Sequence, residues 1–225
     1  KNIIEELINN KKIIYSKLLS DSFGINCVKF SISEGENFIV KYYNNNNKKD
    51  FNAIKVETKN LIFLNNLCIS LFPKVFASND RYLIMSFINH NNDKPKNTKQ
   101  DLLKAIVDVH SNFDNKFGFI FDTQIGGLKQ INSRGDNWVD FFRDKRLGYI
   151  YELISFKNAM DLKINKKIDF LLNNLENFIP KKPKASLLHG DLWEGNILFD
   201  NQKFVSFIDP GSFYGHNELE IAYLR

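Results

Sequence analysis

Cysteine is nearly absent, with only Cys27 and Cys68 in 225 residues. Two thiols exclude a disulfide scaffold and cannot by themselves build a metal cluster. The first residues carry no basic-then-apolar leader, so both cysteines read as free buried thiols of a reducing, cytoplasmic compartment. Long apolar runs are missing as well. Stretches such as Tyr82 to Met85 fall far short of the roughly 18 residues a membrane span needs, which predicts a soluble chain with no membrane partner. Arginine is scarce, 5 against 26 lysines, and the lysines are scattered among asparagine and isoleucine. The net charge of +5 therefore makes no groove-sized basic patch with interleaved aromatics, and no nucleic-acid partner is expected. Four histidines without ligand spacing leave no zinc site.

What is present is an ordinary globular composition, 43% hydrophobic and 25% charged, enough for one large domain or two small lobes. There is no internal repeat. The chain begins at Lys1 rather than methionine and ends at Arg225 inside a helical pattern, so it reads as part of a longer protein, truncated at its C-terminus.

Apolar residues at Ile3, Ile4, Leu7, Ile8, Ile14 and Leu18 predict an amphipathic helix over Asn2 to Leu19. The period then changes to alternation. Val28 to Ser33 and Asn37 to Tyr43 predict a hairpin around Ser33-Glu34-Gly35-Glu36, followed by a polar loop over Asn44 to Lys49. Phe51 to Leu67 returns to helical spacing, and Val75 to Ala77 with Tyr82 to Phe87 predict a second hairpin. The low-complexity run Asn89 to Lys99 is a connector, which divides the chain into residues 1–88 and 89–225. Beyond it, Thr98 and Asp101 open a helix with Leu102, Leu103, Ile106, Val107, His110 and Phe113 on one face. Further helices are predicted from Asp136 to about Phe156 and from Ile164 to about Phe178. A last hairpin pairs Ile197 to Phe199 with Phe204 to Ile208. The order is a mixed β/α lobe, a connector and a mainly helical lobe.

The chemistry concentrates in His189-Gly190-Asp191-Leu192-Trp193-Glu194-Gly195-Asn196, with Asp209-Pro210-Gly211 beginning thirteen residues after Asn196. An Asp and an Asn five apart form the catalytic-loop pattern of protein-kinase-like enzymes, in which Asp orients an acceptor hydroxyl and Asn holds magnesium. Alone, such a pair could simply cap turns. The intervening antiparallel hairpin returns the chain so that Asp209 can join Asn196 as a second metal ligand. Magnesium prefers hard oxygen donors, and one carboxylate, one amide oxygen and phosphate suffice. Upstream, Lys41 ends an apolar strand and Glu57 lies sixteen residues on in the next helix, the arrangement in which a carboxylate holds a lysine against nucleotide phosphates. The loop Asp21 to Asn26, with Gly24, would cover those phosphates. His110 reads as a hydrogen-bonded core histidine, and His189 as a buttress of the loop rather than a proton carrier.

Leu188 to Asn196, Ile208 to Gly215 with His216 and Glu218, and the series Phe117-Gly118-Phe119, Ile125-Gly126, Gln130, Asn132, Asp136 to Phe142 and Arg146-Leu147 together resemble the fructosamine kinase family. That family shares its fold with aminoglycoside phosphotransferases. The resemblance implies an α+β, bilobal protein-kinase-like fold, with an antiparallel β-sheet lobe carrying a helix and a mainly helical C-terminal lobe. It implies ATP and Mg2+ as cofactors, and phosphorylation of a hydroxyl on a sugar-amine adduct, a ketosamine, as in protein deglycation. By the same resemblance Asp191 is the catalytic base, Asn196 and Asp209 bind magnesium, and Lys41 and Glu57 form the nucleotide pair. Met85, Ser86, Phe87 and Ile88 supply the adenine-contacting connector, while Trp193, Tyr214 and His216 face the sugar. Trp138, beside Phe141 and Phe142, reads instead as a core anchor. Three positions depart from the family pattern: Thr123 replaces asparagine, Asn217 arginine and Glu220 aspartate. The rivals are an aminoglycoside, choline or homoserine kinase of the same fold, a catalytically silent nucleotide-binding module, and an RNA-binding protein for which only the charge speaks. The natural acceptor and the oligomeric state are not written in the sequence.

Overall fold

The computed structural model describes residues 2–44, 51–67, 70–96, 100–157 and 160–224. A short helix α1 (Asn2–Leu7) precedes β1 (Ile13–Ser22), β2 (Ile25–Ile32), β3 (Asn37–Tyr43), α2 (Ala53–Leu67), β4 (Val75–Ser78) and β5 (Tyr82–Ser86). The five strands form one antiparallel sheet in the order β1-β2-β3-β5-β4. Alternation sorts the central strand β3 between two cores. Phe38 and Val40 join Phe30, Ile32 and Ile84 in a small outer core, while Ile39 enters the main core with α2. Lys41 shares the parity of Ile39, so its ammonium is carried to the inner side, between Cys27 of β2 and Leu83 of β5.

The expected helix over Asn2 to Leu19 is corrected to α1 and an edge strand. Asn9 and Asn10 both adopt left-handed φ of 59°, which ends the helix after one turn and a half. Beyond them β1 pairs along its length with β2, from Ile13 opposite Ile32 to Ser22 opposite Ile25. Of its ten residues only Ile13 is buried, so the helix-like spacing of Ile14 and Leu18 marks no buried face.

The second half comprises α3 (Gln100–His110), β6 (Phe113–Asp114), the hairpin β7 (Thr123–Ile125) and β8 (Leu128–Gln130), α4 (Trp138–Phe142), α5 (Gly148–Lys157), α6 (Leu162–Asn173), β9 (Ala185–Leu188), the hairpin β10 (Ile197–Asp200) and β11 (Lys203–Phe207), β12 (Phe213–Gly215) and α7 (Glu218–Tyr223). The predicted helix from Asp136 is one helical path, but Arg143–Leu147 within it form a π-helical turn. On α3, Leu102, Ala105, Ile106, Val109 and His110 are buried, whereas Leu103 and Val107 are exposed and Phe113 begins β6. The expected loop over residues 45–49, the Thr98 start of α3 and Cys68 lie outside the described residues. Strand β9, buried throughout, is the centre of a three-stranded antiparallel sheet between β12 and β6. Among the described residues, no helix is long and apolar enough to cross a membrane.

Candidate active site

Two features of α2 deliver Glu57. The Asn52 side chain accepts a hydrogen bond from the Lys55 amide, fixing where the helix starts. From there Ile54, Glu57, Leu61 and Leu64 fall on one buried stripe facing the sheet. A carboxylate on that stripe needs a cation, and Lys41 provides it: Nζ donates to Glu57 Oε1 at 2.6 Å and to Asp209 Oδ1 at 2.6 Å. Burial acts to lower the Lys41 ammonium, but the Asp209 and Glu57 charges outweigh it and hold the pKa raised. Lys41 is therefore a fixed cation at any physiological pH.

Asp209 is brought there by the hairpin. Ile197 pairs with Phe207, and the Ile208 amide extends the ladder by donating to the Asn196 carbonyl at 3.0 Å. The next residue, Asp209, turns out of the ladder with a left-handed φ of 56°, a conformation that short polar side chains tolerate. Gly190 lets the two loops meet, because with φ at 88° a Cβ there would stand 2.1 Å from the Gly211 carbonyl oxygen. The Gly211 amide and the Ser212 hydroxyl both donate to the His189 carbonyl, stitching the loops together.

Asp191 sits on this frame. The Asn196 side-chain amide donates to the Asp191 carbonyl at 2.8 Å and to its Oδ2 at 3.1 Å, closing the five-residue loop into a ring. His189 is buried; its Nε2 donates to the Ile208 carbonyl and its Nδ1 accepts from the Asp191 amide, a pattern that assigns the neutral tautomer. Burial pushes its pKa down, in keeping with that state. His189 thus ties Asp191 to Ile208, just past the end of the returning strand β11 and next to Asp209. Burial also raises the Asp191 carboxyl to about 6, opposed by the Asn196 hydrogen bond and reinforced by the Asp209 and Glu220 charges.

These groups line one cleft of ≈ 570 Å³. Lys41, Glu57, Met85, Ser86, Phe87, Ile88, Asp191, Trp193, Asn196 and Asp209 all border it. Gly24, with φ of 75°, forms the β1–β2 turn whose neighbours Phe23 and Ile25 also border it. Trp193 is 53% exposed, and its ring folds over Gly195, where a Cβ would meet the indole at 2.2 Å. The connector is tied down, since the Asn91 and Asn92 amides donate to the Phe199 carbonyl.

Tyr214 and His216 are placed elsewhere. Tyr214 belongs to β12, paired opposite Leu187, and its ring packs 6.0 Å from Phe119 in the core. His216 lies edge-on to Trp138, whose indole is buried as expected. Their aromatic character serves packing behind β9, and neither borders the cleft.

Two supports were invisible in the spacing. Glu220, at the start of α7, accepts from the His189 and Gly190 amides and from His110 Nε2, so a buried carboxylate thirty residues away holds the loop. Thr123, fully buried, donates to the Gly211 carbonyl and accepts from Gln130 and Asn132. The only signal in sequence was their departure from the pattern of similar chains.

The fructosamine kinase family profile matches residues 14–225. A probable ketoamine kinase of Enterococcus faecium is 36% identical over 147 residues, 65% of this chain and 52% of that protein. The crystal structure of a candidate fructosamine-3-kinase from Thermobifida fusca superposes with a TM-score of 0.87 at 21% identity, covering 99% of this chain and 76% of its own. The streptomycin and ATP complex of an aminoglycoside phosphotransferase superposes with a TM-score of 0.66, also at 21% identity, covering 99% and 73%. At that identity the likeness gives the fold, which is α+β and protein-kinase-like. The chain spans about half the length of the curated relatives it matches.

Proposed function

The chain belongs to the fructosamine kinase family, and from that premise we propose that it transfers the γ-phosphoryl group of ATP to a hydroxyl of a ketosamine. In this reading residues 1–88 form the nucleotide lobe and residues 89–225 the catalytic and acceptor lobe. The observation that carries it is Lys41 held by Glu57 and Asp209 in the same cleft that Asp191 and Asn196 border. Phosphoryl transfer asks little covalent help from a protein; positioning and charge neutralisation dominate. Lys41 offers its ammonium to the phosphates, the Met85 to Ile88 connector faces the adenine, and Asp191 accepts the hydrogen bond of the acceptor hydroxyl and then its proton. Trp193 lines the acceptor side, where an aromatic face suits the apolar CH face of a sugar.

The donor set also fits magnesium. Asn196 turns its amide nitrogen to Asp191, leaving its oxygen for a cation, and Asp209 engages Lys41 through one oxygen only. Bound by these hard oxygens, the ion would neutralise phosphate charge. Asp209→Ala is expected to cut the magnesium-dependent gain in nucleotide affinity by roughly tenfold or more, because a ligand to the ion and a partner of Lys41 are both lost. Nucleotide titrations with and without magnesium decide it; equal magnesium dependence in mutant and parent would move the metal elsewhere.

Trp193→Ala is expected to raise the acceptor KM and lower kcat/KM while leaving nucleotide affinity unchanged. A half-exposed ring should cost little stability, on the order of 0.5 kcal/mol, against about 3 to 5 kcal/mol for a core tryptophan. A large fall in Tm with an unaltered acceptor KM would remove Trp193 from the acceptor site.

The overall reading is tested by ATP consumption with glycated amines, aminoglycosides, choline and homoserine. Turnover with glycated amines supports it. Turnover with only one of the other acceptors makes the protein another small-molecule kinase of this fold, and nucleotide binding without turnover makes it a silent module.

A further inference from the structure

The π-helical turn between α4 and α5 has a local cause and a consequence. Gly148 permits it, since a Cβ there would stand 2.7 Å from the Arg143 carbonyl oxygen. Such turns rotate a side chain off the regular helical path. Here Arg146 is turned inward, its guanidinium 3.9 Å from the centre of the Phe213 ring and 4.7 Å from that of Phe141. One terminal nitrogen donates to the Ile131 carbonyl at 2.7 Å and the other to Asn132 Oδ1 at 2.7 Å. Every one of these partners is neutral. Among the described residues no carboxylate stands within ion-pair distance of Arg146, and Nε has no hydrogen-bond partner. Burial pushes this guanidinium down to about 9, well below its ordinary value, opposed by the Tyr223 phenol and then by Asp122, which is itself paired with Lys129 at 2.9 Å. A desolvated cation without an anion is costly unless an anion arrives.

There is room for one. A cavity of ≈ 200 Å³ opens on Arg146, with Lys145, Tyr149, Leu147 and Tyr223 in its walls. The one carboxylate bordering it, Glu220, is already held by His110 and two loop amides. The cavity and the active-site cleft share no lining residue but are bordered by neighbouring residues of the same two loops. Gly190 borders the cavity while Asp191 borders the cleft, and Ile125 lies between Gln124 and Gly126, which face the cleft. Tyr223 borders the cavity, and beyond the effect of burial its phenol is raised by the Asp191 charge and lowered by that of Arg146. Arg146 is also linked to the catalytic loops, through Asn132 to Thr123 and on to the Gly211 carbonyl, two residues past Asp209.

We propose that this cavity receives a carboxylate on the amine portion of the acceptor, with Arg146 as counter-charge, so that the acceptor is a ketosamine of a free amino acid. The proposal rests on the ketosamine kinase reading above and narrows it. A ketosamine on a protein lysine side chain carries no carboxylate beside its nitrogen and leaves Arg146 unpaired.

Fructosyl-alanine and fructosyl-alaninamide are nearly equal in size, differ in that charge and are the probes, compared at a pH where the amine of both is protonated. Binding to the whole chain is measured by calorimetry without nucleotide, and turnover with ATP and magnesium. The acid should bind, and be phosphorylated, roughly tenfold or more better than the amide, as suits a charge-assisted pair in a partly desolvated site. Arg146→Met should collapse that ratio and Arg146→Lys should preserve part of it. The ratio is read within one protein, so a general loss of stability does not imitate the effect. Should Arg146→Met fail to fold, Lys145→Met is expected to lower the ratio more modestly, and the two probes on the unaltered chain remain decisive. Equal turnover and equal binding of acid and amide would overturn the proposal while leaving the kinase reading standing. If neither is phosphorylated the ketosamine kinase reading falls and this proposal with it, and a calorimetric preference for the acid would then show only that the cavity takes a carboxylate.

Discussion

Asp191→Asn should lower turnover by about 10²-fold or more while leaving nucleotide affinity nearly intact. The substitution keeps the shape of the side chain and an oxygen for the Asn196 amide, but it removes the group proposed to take the acceptor proton. In the proposed reading the nucleotide is held by Lys41 and the Met85 to Ile88 connector rather than by the Asp191 carboxylate. Only the acceptor's proton path and orientation are lost. The parent enzyme should also lose kcat/KM as pH falls through about 6, where Asp191 becomes protonated, and the asparagine variant should lack that acid limb. Unchanged turnover in the variant would remove Asp191 from the mechanism.

Stability should move the other way. An aspartate in the unfolded chain titrates near 3.9, below the folded value of about 6, so between those pH values the native state holds a proton that the unfolded chain has released. Folding is therefore favoured as pH falls through that window, and above it the ionised, half-buried carboxylate works against the fold. Asp191→Asn removes this penalty at neutral pH and should raise Tm. A variant that is slower yet melts higher is the mark of a group strained for chemistry. Equal melting at pH 7 would mean that the loop relaxes around the charge.

The parts of this site that could be read from the sequence are those built by local geometry. Asp191 and Asn196 fall within one tight loop, and the hairpin that returns Asp209 declares itself by two alternating strands around a four-residue polar turn. Lys41 and Glu57 needed only a strand followed by a helix. What escaped was set by partners distant in sequence. Strand β1 is an exposed edge whose apolar residues mimic helical spacing, and only its pairing with β2 reveals it. Strands β6, β7, β8 and β12 are two or three residues long and carry no period of their own. Tyr214 drew notice as an aromatic close to the catalytic loop in the pattern of similar chains, but β12 turns it into the core against Phe119. Arg146 stood in the same pattern without a role, because only the π-helical turn gives its direction.

Glu220 is the largest omission, and Glu220→Ala should have the largest effect on the fold. Its two oxygens serve the His189 amide at 3.0 Å, the Gly190 amide, and His110 Nε2 at 2.8 Å, all buried. Truncation leaves these donors without an acceptor and opens a void beneath the catalytic loop. Each orphaned buried donor costs about 1 to 3 kcal/mol, so a loss on the order of 2 to 5 kcal/mol is expected. In a chain of this size that corresponds to a fall in Tm of roughly 5 to 15 °C. The loop it releases carries Asp191, so kcat should also fall well below the loss explained by unfolded protein, measured at a temperature where the variant remains folded. Glu220→Gln separates position from charge. It keeps one acceptor oxygen, and by removing a negative charge that raises the Asp191 carboxyl it should shift the acid limb of kcat/KM below pH 6. A residue that merely filled space would leave that limb where it was. An unshifted limb together with an unchanged kcat would reduce Glu220 to packing and detach α7 from the chemistry.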